Sequence, residues 1–146
     1  MNPLRIGIAG LGRLGRVHAE NIACKMPGAR LTAACTTRPE TLEYARQLGV
    51  TALYTDFNKM LAEAEIDAVA VVTTSSEHCW QIEAALDAGK HVFSEKPLGV
   101  DIAQCLQAQA AVERHPELVF MLGFMRRYDP SYAYAKQQVD AGVIGT

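Results

Sequence analysis

A chain of 146 residues is long enough for one domain with a hydrophobic core but short for two. Its net charge of −2 argues against a nucleic-acid-binding protein, which would need a basic face, but leaves room for a local site that binds a small anion. No apolar run approaches the roughly 18 residues that a membrane-spanning helix needs, and the short N-terminal apolar segment does not fit a signal peptide, so we expect a cytoplasmic protein without membrane partners.

Short apolar segments alternate with helical patterns along the whole chain. Strands are predicted where the apolar segments end in glycine or polar residues, over 4–9, 29–35, 52–55, 67–73, 90–95 and 118–124. Helices are predicted between them, over about 13–26, 39–48, 56–64, 77–88 and 101–114. A last helix starts at Pro130, with Asp129 as its N-cap.

The order of these elements predicts the fold class. Strand and helix alternate throughout, and no hairpin turn is indicated between any two strands. Parallel strands need crossover connections, which are helices here. The sequence therefore predicts an α/β fold with a doubly wound, mostly parallel six-stranded sheet and helices on both faces.

A GxGxxG pattern lies between the first strand and the first helix. Its residues are Gly10, Leu11, Gly12, Arg13, Leu14 and Gly15. Gly10 permits a tight turn, Gly12 lets the backbone approach a diphosphate, and Gly15 lets the helix pack closely on the strand. Free N–H groups and the positive end of the helix then favour an anion. The pattern predicts a dinucleotide cofactor, and the alternative is a glycine-rich turn without a ligand. Arg13 either contacts the diphosphate or lies on the surface.

The end of the second strand lacks the acidic residue that many dinucleotide-binding folds carry there. Thr36, Thr37 and Arg38 stand in its place. A carboxylate would bind the adenosine ribose and repel a 2′-phosphate, whereas hydroxyls and a guanidinium can bind phosphate oxygens. We therefore predict NADP or NAD as the cofactor, with NADP favoured. Two alternatives stay open, because Arg38 could be solvated and Glu40 could supply the missing carboxylate.

Polar side chains also follow the fourth strand, whose carboxyl end borders the ligand in a doubly wound sheet. They are Thr73, Thr74, Ser75 and His78. We predict that these residues lie along the nicotinamide half of the cofactor. Capping of the next helix by Ser75 or Ser76 is an alternative role that is compatible with the first.

The fifth strand ends in Glu95, Lys96 and Pro97. A lysine at this edge can donate to a substrate hydroxyl and stabilise alkoxide character as hydride leaves, so Lys96 is a candidate for catalysis and for cofactor and substrate binding. Glu95 is predicted to hold Lys96 or the cofactor, and Pro97 to stiffen the turn, with a peptide bond that can be cis. The alternative is an exposed ion pair of little energetic value. His18 is predicted to be a packed or capping histidine.

Four segments in this order resemble the glucose–fructose oxidoreductase/inositol dehydrogenase family, and especially its inositol 2-dehydrogenase branch: GIAGLGRLGRVHAENI, VVTTSSEH, SEKPLG and GFMRRYDPSY. The resemblance implies a Rossmann fold and an NAD(P)-dependent oxidoreductase that converts a secondary hydroxyl of a sugar or cyclic polyol into a ketone, or the reverse. It implies that Lys96 is the catalytic lysine. It also implies that Arg126 and Arg127 lie near the substrate, where either binds a polyol hydroxyl or supports the fold. Thr36 departs from the Asp that the family often has.

Members of the family are much longer than this chain. The resemblance therefore implies a dinucleotide-binding domain over 1–124 and a linker and helix over 125–146 that lead to a separate substrate domain. That domain would supply an Asp, a His, most of the substrate pocket and the sheet through which a full-length form makes homo-oligomers, so the chain alone is expected to be incomplete and inactive. The alternative is a non-catalytic NAD(P)-binding or redox-sensing module. The cysteines are too widely spaced to predict a metal site.

Overall fold

The computed structural model describes residues 2–145. Its sheet contains β1 (Leu4–Ala9), β2 (Ala29–Cys35), β3 (Ala52–Tyr54), β4 (Ala68–Val71), β5 (His91–Glu95) and β6 (Phe120–Gly123). The α-helices are α1 (Arg13–Cys24), α2 (Leu42–Gln47), α3 (Phe57–Glu63), α4 (Ser75–Asp87), α5 (Ile102–Arg114) and α6 (Pro130–Asp140). Two 3₁₀ turns, Pro39–Thr41 and Met125–Tyr128, precede α2 and α6.

The strands form one parallel sheet in the order β3-β2-β1-β4-β5-β6. The chain winds from β1 to one edge of the sheet and then from β4 to the other edge. This topology confirms the predicted doubly wound α/β fold. Where the winding direction reverses, between β1 and β4, the connecting segments separate and leave a crevice at the carboxyl ends of the strands.

Helices cover both faces of the sheet. Successive side chains of a strand point to opposite faces, so each strand contributes to the core on both sides. Val69 and Val71 of β4 belong to one apolar cluster, which joins the sheet to α3, α4 and α5. Ala70 of β4 and the adjacent Val72 belong to a second cluster, which joins the sheet to α1 and α2. A strand that is buried on both faces needs apolar residues at every position, and this explains the unbroken apolar run of β4.

Several predicted boundaries differ from the structure. α4 begins at Ser75 rather than near residue 77, and Thr74 occupies its N-cap position, so the predicted capping by Ser75 or Ser76 is wrong. The predicted helix over 39–48 is divided into a 3₁₀ turn and α2. β4 and β6 are shorter than their apolar runs, because such a run indicates burial and does not fix the residue at which strand pairing ends.

α6 protrudes from the rest of the described fold. None of its residues is buried, and its side chains include the exposed Tyr132, Tyr134 and Val139. Its start is nevertheless well defined, since Asp129 accepts a hydrogen bond from the Ser131 amide, as the predicted N-cap requires. Among residues 2–145, no helix combines the length and the apolar character that crossing a bilayer requires.

The start of α1 lies against the end of β1 without space for a side chain. A Cβ atom at Gly15 would lie 2.0 Å from the Gly10 carbonyl oxygen, and a Cβ atom at Gly10 would lie 2.4 Å from the Val72 carbonyl oxygen. Gly10 also has φ +94°, a conformation that side-chain-bearing residues rarely adopt. The loop can therefore take this shape only with glycine at both positions.

We predict that Gly15→Ala destabilises the fold by about 2 kcal/mol, because the added methyl group would force α1 away from the Gly10 backbone. The matched control is Gly12→Ala, since the nearest atom to a Cβ at Gly12 is Arg38 Nη2 at 3.8 Å. Urea unfolding of both variants measures the difference. Equal free energies of unfolding for the two variants would contradict the packing argument.

Candidate functional site

A cleft of about 870 Å³ lies along the carboxyl ends of β1, β2, β3 and β4. It is lined by eight of the predicted site residues: Gly10, Leu11, Gly12, Thr36, Thr37, Arg38, Thr73 and Thr74. A larger depression of about 1230 Å³ lies at the opposite edge of the sheet, but two of its charged residues, Arg5 and Asp67, are already paired with each other at 2.6 Å. The cleft at the carboxyl ends is therefore the candidate site.

The glycine loop offers main-chain groups rather than side chains to this cleft. The Gly10 amide donates to the Cys35 carbonyl oxygen at 2.8 Å, which joins the loop to the end of β2. The Leu11 side chain is buried, whereas Arg13 and Leu14 are exposed and do not line the cleft. No side chain caps the N-terminus of α1 at Gly12, so its first N–H groups remain available for an anion.

The N-terminus of α4 is open in the same way, because Thr74 at its N-cap makes no side-chain hydrogen bond to the helix. In contrast, Asp56 caps α3 through the Lys59 amide, and Asp101 caps α5 through the Gln104 amide. A capped helix already has an acceptor for its first N–H groups. Thr41 at the N-cap of α2 makes no such bond either, but α1 and α4 are the uncapped helices that follow β1 and β4, on either side of the crevice.

At the end of β2, Thr36 and its neighbours have different roles. Thr36 is buried, and its hydroxyl oxygen accepts hydrogen bonds from the Arg38 amide and the Thr41 hydroxyl, each at 3.2 Å. Thr37 and Arg38 are exposed. Arg38 Nη2 lies 3.8 Å from the Cβ position of Gly12, so its guanidinium group extends over the glycine loop. Thr36 thus closes the turn, while Arg38 faces the cleft.

Two carboxylates line this cleft, Asp56 and Glu77, whereas Glu40 does not. Asp56 follows β3, so it reaches the same edge of the sheet as the end of β2. Burial, followed by the nearby Asp56 carboxylate, raises the pKa of the Cys35 thiol to about 11. Cys35 is therefore a neutral thiol in this wall at physiological pH and not a reactive thiolate.

His78 has a different position from the one that its predicted role requires. The residue is 2% exposed, with Nδ1 2.7 Å from the Pro97 carbonyl oxygen and Nε2 3.2 Å from the Thr73 carbonyl oxygen. Both ring nitrogens therefore face main-chain carbonyls instead of the cleft. The predicted cofactor contact of His78 is therefore replaced by a structural role, in which the buried ring joins the loop after β4 to the loop after β5. Thr73 in turn donates to Gln81 Oε1 at 2.6 Å, and Ser75 begins α4 without lining the cleft.

Glu95, Lys96 and Pro97 form the turn after β5, and the Lys96–Pro97 peptide bond is cis, as the sequence suggested. The Glu95 carboxylate does not pair with the Lys96 ammonium group. It accepts instead from His18 Nε2 at 2.9 Å and from the Lys96 amide at 3.1 Å. The Lys96 side chain is exposed. His18 is a packed residue, as predicted, and its ring lies 5.3 Å from that of Phe93.

The two arginines after β6 lie outside the cleft. Arg126 pairs with Asp129 at 2.9 Å, and its guanidinium carbon lies 4.7 Å from the centre of the Tyr132 ring. These contacts support the start of α6. Arg127 is exposed, and among residues 2–145 no carboxylate lies within salt-bridge distance of it.

Sequence reasoning missed the aromatic wall of the cleft. Phe57 and Trp80 meet edge to face, with ring centres 5.4 Å apart, and Trp80 Nε1 donates to Glu77 at 2.8 Å. Gln81, on the next position of α4, lines the cleft as well. Phe57 directly follows the N-cap of α3, and this position could have indicated one side of the wall. Trp80 and Gln81 could not have been predicted, because which residues of α4 face the cleft depends on the residue at which that helix begins.

Comparison with known proteins identifies the family. Residues 4–124 match the model of an oxidoreductase family with an NAD-binding Rossmann fold. The chain belongs to this family. The resemblance that the four sequence segments indicated is thus confirmed.

Several dehydrogenases and a ketoreductase are similar to this chain over nearly its whole length. A scyllo-inositol 2-dehydrogenase (NAD(+)) of Bacillus subtilis is 40% identical, over 97% of this chain and 42% of its own length. The structure of scyllo-inositol dehydrogenase from Lactobacillus casei, with bound NAD(H) and scyllo-inositol, is 52% identical with a TM-score of 0.95, over 99% of this chain and 43% of that one. A 3-ketoreductase from Actinomadura kijaniata in complex with NADP is 28% identical with a TM-score of 0.84, over 99% and 46%. The chain thus spans less than half the length of these relatives.

The residues present fit the dinucleotide that this oxidoreductase family binds. A Cβ atom at Gly10 or Gly15 would collide with backbone, which keeps the loop narrow and leaves its N–H groups open. Uncapped helix N-termini on both sides of the crevice supply positive potential for a diphosphate. The chain therefore carries the NAD-binding Rossmann domain of this oxidoreductase family, and inositol dehydrogenases are among its relatives.

Proposed function

We propose that this chain is the cofactor-binding part of a dehydrogenase that acts on a secondary hydroxyl of a cyclic polyol or sugar, of the inositol class. One observation carries the proposal: the glycine loop and the Glu95-Lys96-Pro97 turn lie at the same edge of the sheet, and His78 joins the loops after β4 and β5. The inositol dehydrogenases among the relatives support this substrate class.

The proposed roles follow the position of each residue along the crevice. Main-chain N–H groups of the loop over 10–15 bind the diphosphate, with Arg13 beside it and Leu14 at the first turn of α1. Thr36 shapes the adenosine end, where Thr37 and Arg38 face the ligand. Thr73, Thr74 and Ser75 lie beside the nicotinamide half. Glu95 and Pro97 set the geometry of the Lys96 turn, and His78 acts only by holding that turn in place.

Lys96 is the proposed catalytic residue. A bound nicotinamide supplies the hydride acceptor or donor. The Lys96 ammonium group donates a hydrogen bond to the carbinol oxygen and stabilises the negative charge that develops there, while the hydroxyl proton would pass to the histidine expected from the substrate domain. Arg127 is free to bind another polyol hydroxyl, whereas Arg126 does so only by leaving Asp129.

We also propose that 1–124 form the dinucleotide-binding domain and that 125–146 lead to a substrate domain. The exposed aromatic side chains of α6 support this boundary, since a surface of this kind normally packs against further protein. A full-length form would be a homo-oligomer. Because Lys96 is exposed rather than enclosed, we expect the 146-residue chain to bind cofactor without oxidising inositol.

The exposure of Lys96 also favours the second candidate function, a non-catalytic NAD(P)-binding module. An NADH-production assay with scyllo-inositol and myo-inositol separates the candidates when a form that includes the substrate domain is tested. Inositol-dependent turnover supports the dehydrogenase, and cofactor binding without turnover in that longer form supports the module.

The cofactor preference is a finer proposal. We propose that the site accepts both cofactors and favours NADP, because Arg38 extends over the glycine loop and no carboxylate lies within 4.0 Å of it among the residues described. The relatives include proteins with NAD(H) and with NADP. Asp56 in the same cleft is the residue that opposes a 2′-phosphate.

NADH binding tests the cofactor assignment directly. Trp80 is the single tryptophan and lines the cleft, so bound NADH should quench its emission by energy transfer. We predict that the unmodified chain shows saturable quenching and that Gly12→Ala weakens NADH affinity by about tenfold or more, because the methyl group occupies the approach of the diphosphate. The absence of quenching with both NADH and NADPH, together with no heat of binding by calorimetry, would rule out the assignment.

Arg38→Ala tests the phosphate contact. Loss of a charge-assisted hydrogen bond should weaken the affinity for NADPH by about tenfold relative to the affinity for NADH. Arg13→Ala is the matched control, since a residue beside the diphosphate affects both cofactors equally. Calorimetric titration of both variants gives the two ratios, and equal losses of NADPH and NADH in Arg38→Ala would remove Arg38 from the 2′-phosphate site.

A further inference from the structure

The Glu95 carboxylate is a buried anion whose two oxygens bind different elements. The residue is 9% exposed at the carboxyl end of β5. Oε1 lies 2.9 Å from Nε2 of His18 on α1, and Oε2 accepts from the Lys96 main-chain N–H at 3.1 Å. A carboxylate with so little access to water needs such partners, because an unpaired buried charge is strongly destabilising.

Strand β6 packs closely against the Glu95 side chain. Gly123 of β6 lies opposite Glu95 in the strand register, and a Cβ atom at Gly123 would lie 3.4 Å from Glu95 Cδ and 3.0 Å from the Phe93 ring. The His18 ring packs on Phe93 with centres 5.3 Å apart, which fixes the imidazole plane. The contacts with His18 and with β6 therefore restrict how the Glu95 carboxylate is oriented.

The orientation of Glu95 in turn determines how the chain leaves β5. Its Oε2 atom holds the Lys96 amide, so the direction of the Lys96 side chain depends on a contact that begins on α1. That helix starts at the glycine loop. His18 is thus the link between the helix that receives the cofactor diphosphate and the turn that carries Lys96.

We propose that His18 is a positioning residue for Lys96, acting through the Glu95 carboxylate. The link between the three residues is a property of this chain, whereas the importance of Lys96 for hydride transfer rests on the proposed function. A residue that only filled space on α1 would be replaceable by any apolar side chain of similar size. A positioning residue requires its N–H donor.

The test follows the Lys96 amide by NMR in the ¹⁵N-labelled chain. In His18→Leu, Glu95 loses its donor, so the Lys96 amide proton should shift upfield and its hydrogen exchange should accelerate by about tenfold, the effect of losing one charge-assisted hydrogen bond. His18→Gln places an amide N–H where Nε2 lies and should restore both values. His115→Leu is the matched control, because it removes another histidine–carboxylate contact, 2.8 Å to Asp87, at the end of α5.

An unchanged Lys96 amide in His18→Leu would overturn the proposal, as would the same change in His115→Leu or the failure of His18→Gln to restore it. If His18→Leu does not give a folded spectrum, His18→Phe decides the question, because it keeps a ring against Phe93 but has no N–H donor for Glu95, and an unchanged Lys96 amide in that variant overturns the proposal. NADH titration of the unmodified chain is read separately. Its failure would refute the proposed function without changing the result for the His18 link.

Discussion

The close contact between the start of α1 and the end of β1 is the constraint on which the site depends. Because no side-chain atom fits between Gly15 and the Gly10 carbonyl oxygen, the helix begins directly at the strand end and directs its first N–H groups into the crevice. The same packing brings His18 within hydrogen-bond distance of Glu95 on β5. One backbone contact thus sets both the shape of the glycine loop and the contact between His18 and Glu95.

The electrostatics of the crevice follow from which helices are capped. Aspartates cap α3 and α5, whereas α1 and α4 have no side-chain cap. Uncapped N–H groups in a protein surface are costly unless water or a ligand accepts from them. The fold therefore holds two helix N-termini without a side-chain acceptor across the switch point of the sheet, an arrangement that favours an anion such as a diphosphate.

The sequence predicted the sheet and the position of the glycine loop and allowed a cis peptide bond at Pro97, because each depends on local residue types. It did not predict the partner of Glu95, since His18 is close to it only after β1, β4 and β5 have paired. The predicted cofactor contact of His78 likewise gave way to a buried position, because the start of α4 at Ser75 turns that ring inward. Local patterns therefore identified the elements, while contacts between elements required the fold.

A crystal structure of the chain with NADH tests the central claim most directly. We expect diphosphate oxygens within hydrogen-bond distance of the main-chain N–H groups at the start of α1, and the nicotinamide ring on the side of the crevice that carries Lys96. A diphosphate bound elsewhere, or a nicotinamide ring directed away from β5, would contradict the account.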